Sequence, residues 1–286
     1  MFYRLSAFHL VLALCFPHAR LAAQRPSESR WVAFPDSRLF PTAIADPTAT
    51  DFGFTRLQVT DPAIPEAEAG RFELRMGGQF GVARWQPRGD SGWAVQAGFE
   101  AGFNGQFDIG HTFDNIGWDG IFGLTVAAGR PGRLAFKLGS KHTSSHVGDE
   151  YAERTGRQRI DYTREELVLG VSWPVTRALR LYAEGAYAYH NGNDDLQEPG
   201  RAQAGAEWLK PASLGLGQLG WYAATDANAF QERDWEVDFS AALGLMYPSG
   251  GHRWRLGLGY HEGRVPIGEF YWYDEEYWSL GLAFDL

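Results

Sequence analysis

The chain is predicted to be all-β, a closed antiparallel transmembrane β-barrel of about 12 strands, on three observations. Hydrophobic residues recur at every second position over long stretches, which is the pattern of a strand with one apolar face. The segments between these stretches alternate between short and long, as in bacterial barrels with tight turns at one end and longer loops at the other. Beyond the N-terminus, no run approaches the roughly 18 continuous apolar residues that a membrane helix needs. Composition agrees: 35 Gly, 11 Trp and 15% aromatics in 286 residues favour one large β domain over two small ones.

Residues 1–23 read as a secretory signal, with Arg4 in a short basic start, an apolar run from Leu5 to Phe16, and Leu21, Ala22 and Ala23 as a cleavage site before Gln24. Cys15 lies within that run, so the exported chain would carry no disulfide. The alternative is a lipoprotein anchor at Cys15, although Leu14 is bulky for the residue before a lipidated cysteine. Losing residues 1–23 removes Arg4 and Arg20 and no acid, moving the formal charge from −9 to −11. An acidic exported chain points away from nucleic acid as a partner. Residues 24–50 contain Pro26, Pro35, Pro41 and Pro47 with little periodicity, and are expected to form an extended periplasmic lead-in. Residues 51–286 are then the barrel.

The first strand, Phe52 to Thr60, is weakly patterned. Next come Phe72, Leu74, Met76, Phe80 and Val82 opposite Glu73, Arg75 and Gln79. The cleanest alternation runs from Trp93 to Phe103, with Gln96 and Glu100 on its other face. Trp235 to Tyr247 opposes Asp234, Glu236, Asp238 and Ser240; Trp254, Leu256, Leu258 and Tyr260 oppose Arg253, Arg255 and His261. The last strand places Trp278, Leu280, Leu282, Phe284 and Leu286 on one face up to the final carboxylate, and a strand with no cap or tail after it needs neighbours on both edges. These runs of about 10–14 residues exceed the usual strand of roughly 5–6 and suit a tilted membrane crossing of about 9–11.

A soluble barrel would turn its apolar face inward. The membrane arrangement is favoured because aromatic residues gather near strand ends, as at Trp93, Trp118, Trp173, Trp208, Trp235, Tyr247, Trp254, Tyr260 and Trp278, where lipid meets water. The other faces carry both signs of charge, among them Glu100, Lys137, Lys141, Arg180, Glu184, Arg201, Glu207 and Arg255, which suits a lumen packed with ion pairs. Short connections occur near residues 86–91, 129–132, 174–176, 211–216 and 248–251. Longer ones span 61–70, 105–117, 146–157, 191–199, 227–232 and 263–276. With long loops outside, both termini are expected to be periplasmic, in the outer membrane of a Gram-negative-type bacterium.

Continuing the alternation from Leu134, Phe136 and Leu138 puts Ser140, His142 and Ser144 on the lipid face. A histidine and a serine two apart on one strand face stand close enough for imidazole to act as base toward the hydroxyl, and a neighbouring carboxylate can orient the ring. Approximate antiparallel pairing assigns that part to Asp161, which shares outward parity with Thr163 and Glu165, and makes Ser144 the nucleophile. This His-x-Ser pair resembles that of two families of outer-membrane hydrolases, phospholipase A and lipid A deacylase, whose catalytic residues face the bilayer. Those enzymes usually continue with Asn, where this chain has Ser145. A longer stretch, His142 to Tyr151 (H-x-S-S-H-x-G-D-E-Y), with Ala45-Asp46-Pro47, barrel length and the aromatic last strand, is similar to a bacterial outer-membrane family of unknown function. That resemblance implies a barrel and supplies no activity.

The same decapeptide has other readings. It could be a rigid loop in which carboxylates accept backbone N–H bonds. It could hold a divalent ion, with His146, Asp149 and Glu150 as ligands and calcium the easiest chemistry for the two carboxylates. Two functions are therefore carried: a structural, binding or narrow-channel barrel with a charge-packed lumen, or a bilayer-facing serine hydrolase acting on acyl esters of phospholipid or lipopolysaccharide. Outer-membrane lipid, lipopolysaccharide and the barrel-insertion machinery are the expected partners. The acids of the long loops (Asp108, Asp114, Asp194, Asp195, Asp226, Glu232 and Asp274 to Glu276) could bridge divalent ions to lipopolysaccharide or select cations, or simply be solvated, and the aromatic and acidic loop Phe270 to Trp278 could cover a pore mouth, bind sugars or anchor at the interface.

Overall fold

The computed structural model describes residues 29–88, 92–249 and 252–285. The signal at 1–23, Cys15 and Leu286 lie outside them. The strands in chain order are β1 (Arg30–Ala33), β2 (Phe52–Val59), β3 (Gly70–Gln86), β4 (Ala94–Asp108), β5 (Asp114–Gly129), β6 (Ala135–Val147), β7 (Thr163–Pro174) and β8 (Leu179–Asn191). Then follow β9 (Gly200–Lys210), β10 (Gly220–Phe230), β11 (Val237–Ser249), β12 (His252–Arg264) and β13 (Asp274–Asp285), while a helix α1 (Asp149–Thr155) lies between β6 and β7. Among the described residues no helix is long and apolar enough to cross a membrane.

Strands β2 to β13 pair antiparallel with their sequence neighbours, and β13 returns to pair with β2 from Phe284 opposite Phe52 to Tyr277 opposite Val59. The barrel is therefore closed with 12 strands. The final alternation is explained: Trp278, Leu280 and Leu282 are exposed on the outer surface, while both strand edges are paired, to β12 and to β2. Closure through β2 and β13 removes the two free outer edges that an open sheet would offer to another chain. The weak first strand is real and spans Phe52–Val59. The connection expected over 105–117 is mostly strand, because β4 and β5 run on to Asp108 and from Asp114. Trp235 sits just ahead of β11, on a backbone turn with φ of 63°.

The inward face holds the expected charges as close pairs: Lys137 with Glu184 at 2.6 Å, Arg180 with Glu207 at 2.6 Å, Arg255 with Asp285 at 2.8 Å, and Arg201 with Glu166 at 3.3 Å. Outward leucines such as Leu169, Leu243, Leu258 and Leu280 are exposed. Apolar outside and ionic inside inverts the arrangement of a soluble barrel.

Of the segment expected to form an extended periplasmic lead-in, the described part reaches the inward face of the barrel. β1 pairs with the end of β3 from Ala33 opposite Ala83 to Arg30 opposite Gln86. The chain then turns at Phe34, φ 46°, and residues 36–51 lie against inward-facing side chains. Arg180 donates to the Pro41 and Thr42 carbonyl oxygens at 2.9 and 3.0 Å, and the Ile44 amide donates to Glu207 at 2.8 Å. Gln203 donates to Asp46 at 3.0 Å, and Thr50 to Glu100 at 3.2 Å. Leu39 and Phe40 pack on Ala94 and Ala127, and Ile44 and Ala45 on Tyr222, Ala224 and Met246. Its irregularity has a physical reason: backbone donors and acceptors satisfied by luminal side chains need no strand partner. Wall glycines make room for it, since a Cβ at Gly170 would lie 2.9 Å from the Phe40 ring and one at Gly102 would lie 2.9 Å from Thr50.

At the end bearing the longer connections, Ile64, Ala67, Ile116, Tyr151, Val265, Ile267 and Phe270 form a second apolar core. Beneath it Arg71 and Glu275 pair at 2.6 Å with essentially no solvent exposure. The barrel interior is filled from both ends.

Candidate outward-facing site on strands β6 and β7

The polar row of β6 is positioned by its pairing with β5 and β7. His142 stands opposite Phe122 on one side and Glu165 on the other; Ser144 stands opposite Gly120 and Thr163. His142 Nδ1 lies 2.6 Å from Glu165 Oε1, with the imidazole 38% and the carboxylate 28% exposed. Ser144 Oγ lies 3.1 Å from His146 Nε2, and the His146 ring stacks on Trp118 at 4.2 Å between centroids and 24° between planes. Ser144 thus sits between two histidines on one outward face: one bonds its hydroxyl and the other holds a carboxylate. Two residues toward the opposite end, Ser140 lies 3.5 Å from the Tyr189 hydroxyl.

Asp161 is not brought to this row. It lies before β7 begins, at φ 61°, exposed and ion-paired with Arg159 at 3.0 Å. α1 and the extended segment after it lengthen the connection, so the residue across from His142 is Glu165 rather than Asp161. The outward parity of Glu165 is visible in the sequence. Its signal is chemical: Glu165 is a single carboxylate on a face that continues with Leu167, Leu169, Val171 and Trp173.

The rest of the decapeptide is architectural. Ser145 points inward, fully buried, and its hydroxyl accepts from the Glu269 amide at 2.8 Å. Gly148 precedes α1 where a Cβ would fall 1.8 Å from the Asn115 carbonyl oxygen. Tyr151 is buried, and its hydroxyl donates to the Pro65 carbonyl oxygen at 2.6 Å. Asp149 and Glu150 are exposed in the first turn of α1, where their charge complements the helix dipole. They do not converge with His146, and among the described residues no three His, Cys, Asp or Glu side chains are placed to hold a metal ion. These residues do not fit a calcium or other divalent site.

A serine hydroxyl, two imidazoles and a carboxylate on one surface can move a proton off the serine, whereas an isolated carboxylate there would carry only a desolvation cost. The fold recurs in solved structures. The chain is similar to outer membrane phospholipase A from Escherichia coli, with 12% identity, a TM-score of 0.54, and coverage of 82% of this chain and 91% of that one. It is similar also to the dimeric outer membrane phospholipase of Salmonella typhi solved with bound calcium, with 12% identity, a TM-score of 0.53, and coverage of 82% and 89%. At such identity the likeness is one of fold alone. No curated protein resembles the chain closely enough to count as a match. The family described as protein of unknown function DUF1207 matches residues 18–286, nearly the whole sequence, and the chain belongs to that family.

Proposed function

We propose that this protein is an outer-membrane barrel, with its longer connections outside and both termini periplasmic, that hydrolyses acyl esters of membrane lipid at the outward row of β6 and β7. The observation that carries the reading is the 2.6 Å bond between His142 and Glu165 on the same outward face as Ser144. A carboxylate accepting from Nδ1–H fixes the tautomer that leaves Nε2 free to take a proton, and it stabilises the imidazolium that results. Ser144 Oγ attacks the ester carbonyl carbon as its proton passes to imidazole. The alcohol oxygen then departs with that proton, and water repeats the sequence to free the fatty acid. Substrate arrives by lateral diffusion along the barrel wall.

A second division of roles has its own support. His146, which bonds the Ser144 hydroxyl at 3.1 Å, is the proton acceptor in that version, with Trp118 holding its ring. The barrel interior supports the complementary part of the reading: residues 36–51 and the luminal ion pairs leave the lumen to scaffolding rather than wide passage, as expected of a charge-packed barrel.

The test is acyl release from phospholipid and lipopolysaccharide by the purified, folded barrel. Ser144→Ala is expected to lower it on the order of a thousandfold or more; a wild-type rate in that variant excludes Ser144 as nucleophile. His142→Asn and Glu165→Gln falling together, with His146→Asn closer to wild type, identifies His142 as the base. The reverse order assigns the role to His146.

A further inference from the structure

An apolar groove of about 690 Å³ lies on the outer surface across β4, β5 and β6, bordered by Phe99, Leu124, Val126, Leu138 and Leu167. Its polar end is Ser140, which faces Leu124 on β5 and Leu167 on β7 and is two residues before His142 on the same face. Its lining includes Ala97, a small residue opposite Val126, which in turn stands opposite Leu138. From Ser144 to Ser140 is about 13 Å at the strand rise, running away from the long connections. The groove continues in that direction.

We infer that this groove seats the acyl chain of the lipid whose ester lies at Ser144, and that its depth sets the chain length the protein accepts. The inference rests on the hydrolase reading above and names the substrate's apolar part. An ester at the outward row has its headgroup toward the long connections and its acyl chain directed along the wall toward the membrane interior. The polar line Ser144, His142, Ser140 gives way to the apolar groove along that path. Ala97 sits beside Val82, Phe99 and Val126 in the lining, so a bulky side chain there would fill the groove.

The test compares wild type, Ala97→Trp and Ala241→Trp, the last on the outward face of β11 as a control for a new indole in the wall. Hydrolysis of phosphatidylcholine with six-carbon chains is compared with that of sixteen-carbon chains. Ala97→Trp is expected to lower the long-to-short ratio by about tenfold or more, the range that filling a hydrophobic pocket gives, with Ala241→Trp at the wild-type ratio. An unchanged ratio in Ala97→Trp overturns the groove while leaving Ser144 in place. If wild type cleaves neither lipid, the hydrolase reading fails, and native mass spectrometry with dipalmitoylphosphatidylcholine decides the groove separately. One lipid kept by wild type and Ala241→Trp but lost from Ala97→Trp supports it; equal retention in all three overturns it. A change from dimer to monomer in Ala97→Trp at constant ratio also overturns it, placing a second copy of the chain on that face.

Discussion

Two serine–histidine contacts lie on opposite faces of the same wall. Inside, Ser240 Oγ is 2.9 Å from His261 Nδ1, while His261 Nε2 is 2.9 Å from the Arg264 carbonyl oxygen and the residue is 2% exposed. That imidazole donates through Nε2 and accepts at Nδ1, so both its nitrogens are used and no ester reaches it. Outside, Ser144 Oγ is 3.1 Å from His146 Nε2 with both residues partly exposed, and the Glu165 carboxylate is held by a second imidazole, that of His142. The two serine–histidine distances, 2.9 and 3.1 Å, are alike; what differs is access and the carboxylate-bearing histidine beside the outer pair.

The contrast between a packed interior and the proposed outward site can be broken at four places. Glu207→Ala strands the Arg180 guanidinium and the Ile44 amide in the lumen. It is expected to cost about 3–5 kcal/mol, measured by urea unfolding in vesicles. Leu258→Arg puts a charge on the exposed apolar face of β12 and is expected to cost about 2–4 kcal/mol in the same assay if that face meets the membrane midplane. A negligible change would remove Leu258 from lipid. Ser240→Ala leaves a buried imidazole nitrogen unpaired and is expected to cost about 1–3 kcal/mol, with acyl release as in wild type; lost hydrolysis there would move the chemistry indoors. Ser144→Ala is expected to shift stability by no more than about 0.5 kcal/mol. A large loss would make the outward row structural after all.

The barrel was legible because alternation is a local property that survives along every strand, even, weakly, in Phe52–Val59. The luminal segment was hidden for the opposite reason. Leu39, Phe40 and Ile44 follow no period because they fit holes left by alanines and glycines far away in sequence, and their backbone partners are side chains such as Arg180 and Glu207. At the outward row, parity placed His142 and Ser144 correctly on one face. The carboxylate was missed because cross-strand register depends on how much chain the β6–β7 connection consumes, and α1 with the extended residues after it sets that amount. Composition does not reveal it.

One stretch of wall is held differently from the rest. β2 accompanies β3 only from Gly70 to Arg75, and β1 only from Ala83 to Gln86. Between them, among the described residues, no strand pairs with that edge of β3; the Arg38 guanidinium donates to the Gln79 carbonyl oxygen there. A seam fastened by a side chain and a short strand yields at lower free energy than a continuous ladder. Those amides of residues 76–82 that point away from β4 therefore define the shallow end of the exchange hierarchy, and breathing of the barrel begins beside its own filling, on the far side of β3 from the groove.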